Sequence, residues 1–311
     1  MKILLLDKNH PLITEQLSQK GFLFEEDFNS TYEEVLKKIE QYDGIIIRSR
    51  IPIDQYFLEH AKNLKFIARV GAGMENIDVE FAKKSGIALI SSPEGNRDSV
   101  AEHVLGMLLI LMNRLFISSQ EVKNGIWKRE ENRGDELLGK TFGIIGYGNM
   151  GKAVAKRLSG FGCKVIFHDL LSNIGDEFAT QVSLETLKKE ADILSLHLPI
   201  TEETHYLVDE QFISDMEKNF YFVNTARGKN VDTKYLVEAL KSGKVKGAAL
   251  DVLEYEKASF ENLDTDNEDL EFLLHSEKVI VTPHIAGWTI QSKEKLAQVI
   301  VDKILVQFPQ T

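Results

Sequence analysis

The run 140–169, KTFGIIGYGNMGKAVAKRLSGFGCKVIFHD, constrains this chain more than any other stretch, because it reads as strand, glycine turn, helix and second strand ending in a carboxylate. Residues 141–145 are apolar. Gly146-Tyr147-Gly148-Asn149-Met150-Gly151 then fits G-x-G-x-x-G between a strand and a helix, the context that pattern requires. Gly146 makes the tight turn, Gly148 lets the main chain approach a pyrophosphate, and Gly151 lets the helix expected over 152–159 lie close on its strand. The first amides of that helix face the phosphates with the positive end of the helix dipole behind them, and Asn149 and Met150 of the turn are expected to bind the cofactor as well. Asp169 ends the next apolar run, 164–168, close to the interval of ~20 residues kept by a ribose-binding acid. A carboxylate there accepts from a 2′-hydroxyl and repels a 2′-phosphate, so the expected cofactor is NAD rather than NADP.

Around this unit the chain keeps a βαβ rhythm. Before it, runs 2–6, 44–47, 66–69 and 87–90 are strand-like and 11–20, 32–40 and 79–84 have helical spacing, which implies a small α/β domain with its own parallel sheet. After it, strands are expected at 191–197, 220–224, 245–251 and 279–282, with helices at 184–190, 209–218 and 233–242. Several strands of this half stop at a polar residue: Asp169, His197, Asn224, Asp251 and His284. The carboxyl ends of strands are where an open parallel sheet presents its ligands. A helix over 98–122, apolar on most faces, has to be buried on more than one side. The acidic stretch 255–275 reads as an exposed loop, and a last helix over 288–308 is expected to return to the first domain. The expected organisation is therefore a discontinuous substrate domain, 1–95 plus 286–311, and a dinucleotide domain, 96–285, with a cleft between them.

In the first half, Arg48-Ser49-Arg50 and Arg69-Val70-Gly71-Ala72-Gly73 each follow a strand. The arginines could converge near the amides of Gly71, Ala72 and Gly73, an anion nest. A net charge of −11 over 311 residues argues against nucleic-acid binding and means that an anionic substrate needs such a local positive patch. Cys163 is the only cysteine, which leaves no intramolecular disulfide and no cysteine-based zinc site; no metal is expected. The N-terminus is too short in apolar residues for a signal core, and the longest apolar run, 104–112, is far short of a membrane span. The expectation is a cytoplasmic protein without membrane contact.

With these residues and the segments VGAGMENID (70–78), SVAEH (99–103), VNTARG (223–228), LDVLEYE (250–256) and TPHIAG (282–287), the chain resembles the D-isomer-specific 2-hydroxyacid dehydrogenases from Arg69 to Trp288. The resemblance implies an NAD-dependent enzyme with Arg227, Glu256 and His284 as its catalytic residues. It also implies that Thr225, Ala226, Asp251 and Gly287 lie by the nicotinamide, and His197 and Pro199 by the adenosine. Gly71, Ala72, Gly73 and Asn96 would then meet the substrate, a small anionic 2-hydroxy or 2-keto acid. The chemistry agrees with the assignment. Reduction of a keto acid needs a cationic clamp, which a planar guanidinium provides, and a proton for the carbonyl oxygen, which an imidazole oriented by a carboxylate provides. The remaining histidines, His103 among them, read as structural. Within the family, Arg48, Ser49 and Arg50 look most like phosphoglycerate dehydrogenases, here without a regulatory domain after Thr311, so 3-phosphoglycerate/phosphohydroxypyruvate is the favoured substrate. The alternatives are a glyoxylate/hydroxypyruvate or D-lactate-type reductase, or an NAD-responsive corepressor-like binding protein. A homodimer through the NAD domain is expected.

Overall fold

Short runs of Ile, Leu, Phe and Val become strands where the sheet and its helices cover them, and the first hundred residues hold five strands in all. A computed structural model describes residues 1–256 and 267–310. In chain order the first elements are β1 (Lys2–Leu5), α1 (Leu12–Ser18), β2 (Leu23–Glu26), α2 (Tyr32–Leu36), β3 (Gly44–Ile47), α3 (Gln55–His60), β4 (Phe66–Arg69), α4 (Val79–Lys84) and β5 (Ala88–Ser91). The strands form one parallel sheet in the order β2-β1-β3-β4-β5. Successive side chains of a strand face opposite sides. Ile45 and Ile47 therefore pack with Val35 and Phe57, while Ile46 packs on the other face. Edge strand β2 and helix α3, the latter capped by Asp54 on the Phe57 amide, carry no run long enough to show in the sequence.

Next come α5 (Pro93–Met112), α6 (Leu115–Lys123), β6 (Thr141–Ile145), α7 (Asn149–Leu158), β7 (Lys164–His168), β8 (Thr180–Gln181), α8 (Leu184–Glu190), β9 (Ile193–Leu196), α9 (Glu210–Asp215), β10 (Phe220–Asn224), α10 (Thr233–Ser242), β11 (Val245–Leu250), α11 (Glu268–His275) and β12 (Val279–Val281). Their sheet is parallel throughout, in the order β12-β11-β10-β9-β6-β7-β8. The order reverses direction between β6 and β9, the switch point at which such sheets bind dinucleotides. The last helix, α12 (Ile290–Gln307), places Leu296, Ala297, Ile300, Val301 and Ile304 in the core of the first sheet. By contacts the chain divides into Met1–Arg97 with Trp288–Thr311, and Asp98–Gly287. Both sheets are the parallel α/β layers expected from the sequence.

Two expectations need correction. The helix expected over 98–122 is two helices, α5 and α6, bent by 58° at Asn113 and Arg114. Arg114 is left-handed at φ 50, its Nε donates to Asn132 Oδ1, and the Asp135 amide takes the Met112 carbonyl, so a later segment ends α5 from outside. The acidic stretch 255–275 is not all loop, because Asn267 caps α11 and Leu270 and Leu273 are buried; residues 257–266 lie outside the described residues. Among the described residues no single helix is long and apolar enough to cross a membrane.

Candidate active site

The glycine loop between β6 and α7 is as tight as its sequence demands. Gly146 is left-handed at φ +92, where a Cβ would also meet the His197 carbonyl oxygen at 2.5 Å, and a Cβ on Gly151 would run into the Gly146 carbonyl. A Cβ on Gly148 would meet nothing within 4 Å, so the loop is open on the side where a ligand approaches. Gly148 is also the N-cap of α7 and supplies no side-chain cap to the Asn149, Met150 and Gly151 end. Asp169, at the end of β7, accepts from the Tyr147 amide at 2.7 Å and the Leu171 amide at 2.9 Å, so the acid is tied directly to the glycine loop.

Tyr147 went unread in the sequence, where it is a variable position of the fingerprint. It is buried, its ring stacks on Phe167 at 3.8 Å between centroids, and its hydroxyl donates to Asp176 at 2.7 Å. Burial and that carboxylate raise the pKa of its phenol well above the ordinary value. Across the switch point, His197 Nε2 lies 3.0 Å from Ser195 Oγ, while its buried Nδ1 has no hydrogen-bond partner among the described residues. Burial lowers the His197 pKa to about 4, so the ring is neutral.

Three neighbouring strand ends carry the remaining candidates. After β10, Asn224 and Asn230, both buried, stitch the Arg227 loop. Asn224 Oδ1 accepts the Ala226 amide, its Nδ2 donates to the Arg227 carbonyl, and Asn230 Oδ1 accepts the Arg227 amide. Asn230 Nδ2 reaches the carbonyls of Pro199 and Thr204, which joins Pro199 to the same loop. Thr225 Oγ1 is buried without a partner among the described residues. Gly228 has the Leu253 carbonyl pressed against it where a Cβ would stand, so the Arg227 loop lies directly on the segment leading to Glu256. After β11, Glu256 Oε1 accepts the Leu253 amide at 2.6 Å and Oε2 meets His284 Nδ1 at 2.8 Å. After β12, His284 is left-handed at φ 54, a conformation that a residue other than glycine keeps only when its surroundings enforce it. Asp251, 1% exposed, does so: it accepts Thr282 Oγ1 at 2.6 Å and the amides of Ile285 and Ala286, each at 2.8 Å.

The candidates of the first unit fare unevenly. Arg48 follows β3 and lies with its guanidinium carbon 4.6 Å from the centre of the Trp288 ring, with Ser49 beside it on the same bend. Arg50 gives three of its N–H donors to the main-chain carbonyls of Leu6, Ser30 and Asp27, which ties its fork to the main chain of the first unit and weakens the case for it as a substrate residue. The anion nest also needs correction at its first member: the Gly71 amide turns to Ser92 Oγ at 3.1 Å and to the Arg69 carbonyl, and the Arg69 guanidinium folds over Gly71. Ala72 and Gly73 stay half-buried at the carboxyl edge after β4. Asn96, in the first turn of α5, buries an Oδ1 without a partner among the described residues.

A family model described as the NAD-binding domain of D-isomer-specific 2-hydroxyacid dehydrogenases matches residues 105–286. The chain belongs to that family. It is 38% identical to a hydroxypyruvate reductase of Thermotoga maritima over 88% of this chain and 87% of the other. It is 35% identical to a D-3-phosphoglycerate dehydrogenase of Methanocaldococcus jannaschii over 98% of this chain, but spans only 57% of that protein. A crystal structure of the D-lactate dehydrogenase of Aquifex aeolicus with NAD and lactic acid superposes with a TM-score of 0.84 at 31% identity, over 99% of this chain and 96% of that one. Members of this family are oxidoreductases of 2-hydroxy acids, and the cofactor is NAD. The residues present fit NAD on observations of their own: an uncapped helix start behind an open glycine, an acid bonded to that loop, and the orphaned buried atoms Thr225 Oγ1 and His197 Nδ1.

Proposed function

We propose that this dehydrogenase reduces a small, unphosphorylated 2-keto acid of the hydroxypyruvate or glyoxylate type. The observation that carries the acid–base reading is the contact of His284 Nδ1 with Glu256 at 2.8 Å. Bound NADH supplies the hydride. Arg227 grips the carboxylate and carbonyl oxygens of the substrate with its planar fork. Glu256 takes the Nδ1 hydrogen of His284, which fixes the ring and its tautomer, and proton delivery to the carbonyl oxygen falls to Nε2. Ala72, Gly73 and Asn96 hold the substrate carboxylate, and Arg48 adds a positive charge. The α7 amides hold the pyrophosphate and Asp169 the ribose. Thr225, Ala226, Asp251 and Gly287 line the nicotinamide, and His197 and Pro199 the adenosine.

Two observations favour an unphosphorylated substrate over phosphohydroxypyruvate. Three of the five N–H donors of Arg50 go to main-chain carbonyls, which leaves its fork fewer donors for a phosphate. The chain is also somewhat more similar to the hydroxypyruvate reductase, at 38% identity, than to the phosphoglycerate dehydrogenase, at 35%. The test is NADH oxidation with hydroxypyruvate, glyoxylate, pyruvate and phosphohydroxypyruvate in turn. A preference for phosphohydroxypyruvate would restore the phosphoglycerate reading, and no turnover with any of them would favour the binding protein.

We further propose a homodimer built on α6, which has no buried residue and exposes Leu115, Phe116 and Val122 to at least half of their surface. Sedimentation of wild type against Phe116→Glu tests it, and a monomeric wild type would reject it.

A further inference from the structure

The SVAEH segment, 99–103, takes no part in the chemistry described so far, yet one face of α5 is spent on the turn that carries His284. Ser99, His103 and Met107 are spaced four apart and so share that face. Ser99 Oγ donates to the Ala286 carbonyl at 2.6 Å. His103 Nε2 lies 3.0 Å from Thr282 Oγ1 and 3.6 Å from Asp251 Oδ1, and Met107 Sδ lies 3.7 Å from the same hydroxyl. The ties therefore fall on both sides of the left-handed residue, at Thr282 and at Ala286.

The direction of the chain of hydrogen bonds follows from counting protons. A threonine hydroxyl has one hydrogen to give. The 2.6 Å contact with the Asp251 carboxylate is the strongest acceptor on offer and takes it. Thr282 Oγ1 is left as the acceptor toward His103, so Nε2 of His103 carries a hydrogen. The sequence His103 Nε2–H to Thr282 O–H to Asp251 then ends on the oxygen that also receives the Ile285 amide, with the other carboxylate oxygen on Ala286.

We propose that His103 is a positioning residue for proton transfer: by donating to Thr282 it holds Thr282 and Asp251 in the arrangement that keeps the His284 main chain left-handed and its ring on Glu256. The inference rests on His284 as the proton donor. Without the donor, Thr282 keeps its bond to Asp251 but loses the tie that anchors the pair to α5, so the turn is held less tightly and His284 delivers its proton from a wider spread of orientations. Small misplacements of a reacting group cost much in rate and little in ground-state binding.

The test compares His103→Leu, which keeps bulk without a donor, with His103→Gln, whose amide nitrogen can stand where Nε2 stands, and with Thr282→Val. Leu and Val should each lower kcat about ten- to a hundredfold, with KM and the NADH dissociation constant within about twofold of wild type, and Gln should recover most of the rate. The loss in the His103→Leu/Thr282→Val double variant should match either single loss rather than their product, since both break one chain. In the protein without cofactor, the imidazole NMR signals of His284 should move in the Leu variant and stay in place in the Gln variant. Full kcat in the Leu variant, equal losses in Leu and Gln, or multiplying losses in the double variant would overturn the proposal. His284→Asn, assayed alongside, separates the two claims. Near-normal turnover there rejects the acid–base reading itself, whereas its loss beside a fully active His103→Leu rejects only the positioning role.

Discussion

Glu256 is fixed before it fixes His284: one oxygen holds the Leu253 amide at 2.6 Å and the other meets His284 Nδ1 at 2.8 Å. The pair is thus a built geometry and not two surface groups that happen to meet. Glu256→Gln preserves shape but turns one of the two acceptors into a donor that faces an N–H. Turnover should fall by about a hundredfold or more while NADH affinity, read by fluorescence titration, stays within about twofold. Normal kcat in this variant would remove Glu256 from the mechanism.

Asp169 is joined to the glycine loop through the Tyr147 amide, so it has two tasks. Asp169→Ala should weaken NADH and narrow the preference over NADPH, whereas Tyr147→Phe, which removes only the bond to Asp176, should weaken both cofactors alike. Dissociation constants for the two cofactors decide this, and an unchanged ratio in the Asp169 variant counts against its role at the ribose.

Arg50 serves the first sheet unit. Arg50→Ala should cost about 2 kcal/mol or more in urea unfolding, the scale of hydrogen bonds from a charged donor, through the lost ties to Leu6, Ser30 and Asp27. The ratio of kcat/KM for phosphohydroxypyruvate and glyoxylate should not move. A tenfold selective loss with the phosphorylated acid would return Arg50 to the substrate.

His197 gives the protein an acid-sensitive contribution to stability. Burial lowers its folded-state pKa from 6.5 to about 4, so below pH 6.5 the unfolded chain binds a proton that the folded chain refuses. Its contribution is intact above pH 6.5 and is lost as pH falls from there towards 4, about 3 kcal/mol in all. Urea unfolding at pH 7 and pH 4 should show this extra loss in wild type and not in His197→Gln; equal losses in the two proteins would contradict it.

Gly228 is where the Arg227 loop and the Glu256 segment touch. Gly228→Ala forces the Leu253 carbonyl away. It should cost about 1–3 kcal/mol of stability together with a drop in kcat, because both partners of the reaction are displaced at once. Wild-type kinetics in a stable variant would show that the two segments can separate without consequence.

The sequence alone determined what depends on near neighbours. Alternating and helical apolar spacing marked ten of the twelve strands among the described residues, the glycine fingerprint located the βα turn, and the acid after β7 followed at its required interval, because each of these is a property of residues within one βαβ unit. It could not show where Arg50 points, since Leu6 and Ser30 lie 44 and 20 positions away, nor that 132–135 would close α5 from outside. For the same reason His103 read as an ordinary core histidine: its partner Thr282 is 179 positions further on. Tertiary structure decided these points because a guanidinium or an imidazole with several donors takes whichever acceptors folding brings within 3 Å, and a linear pattern does not record that distance.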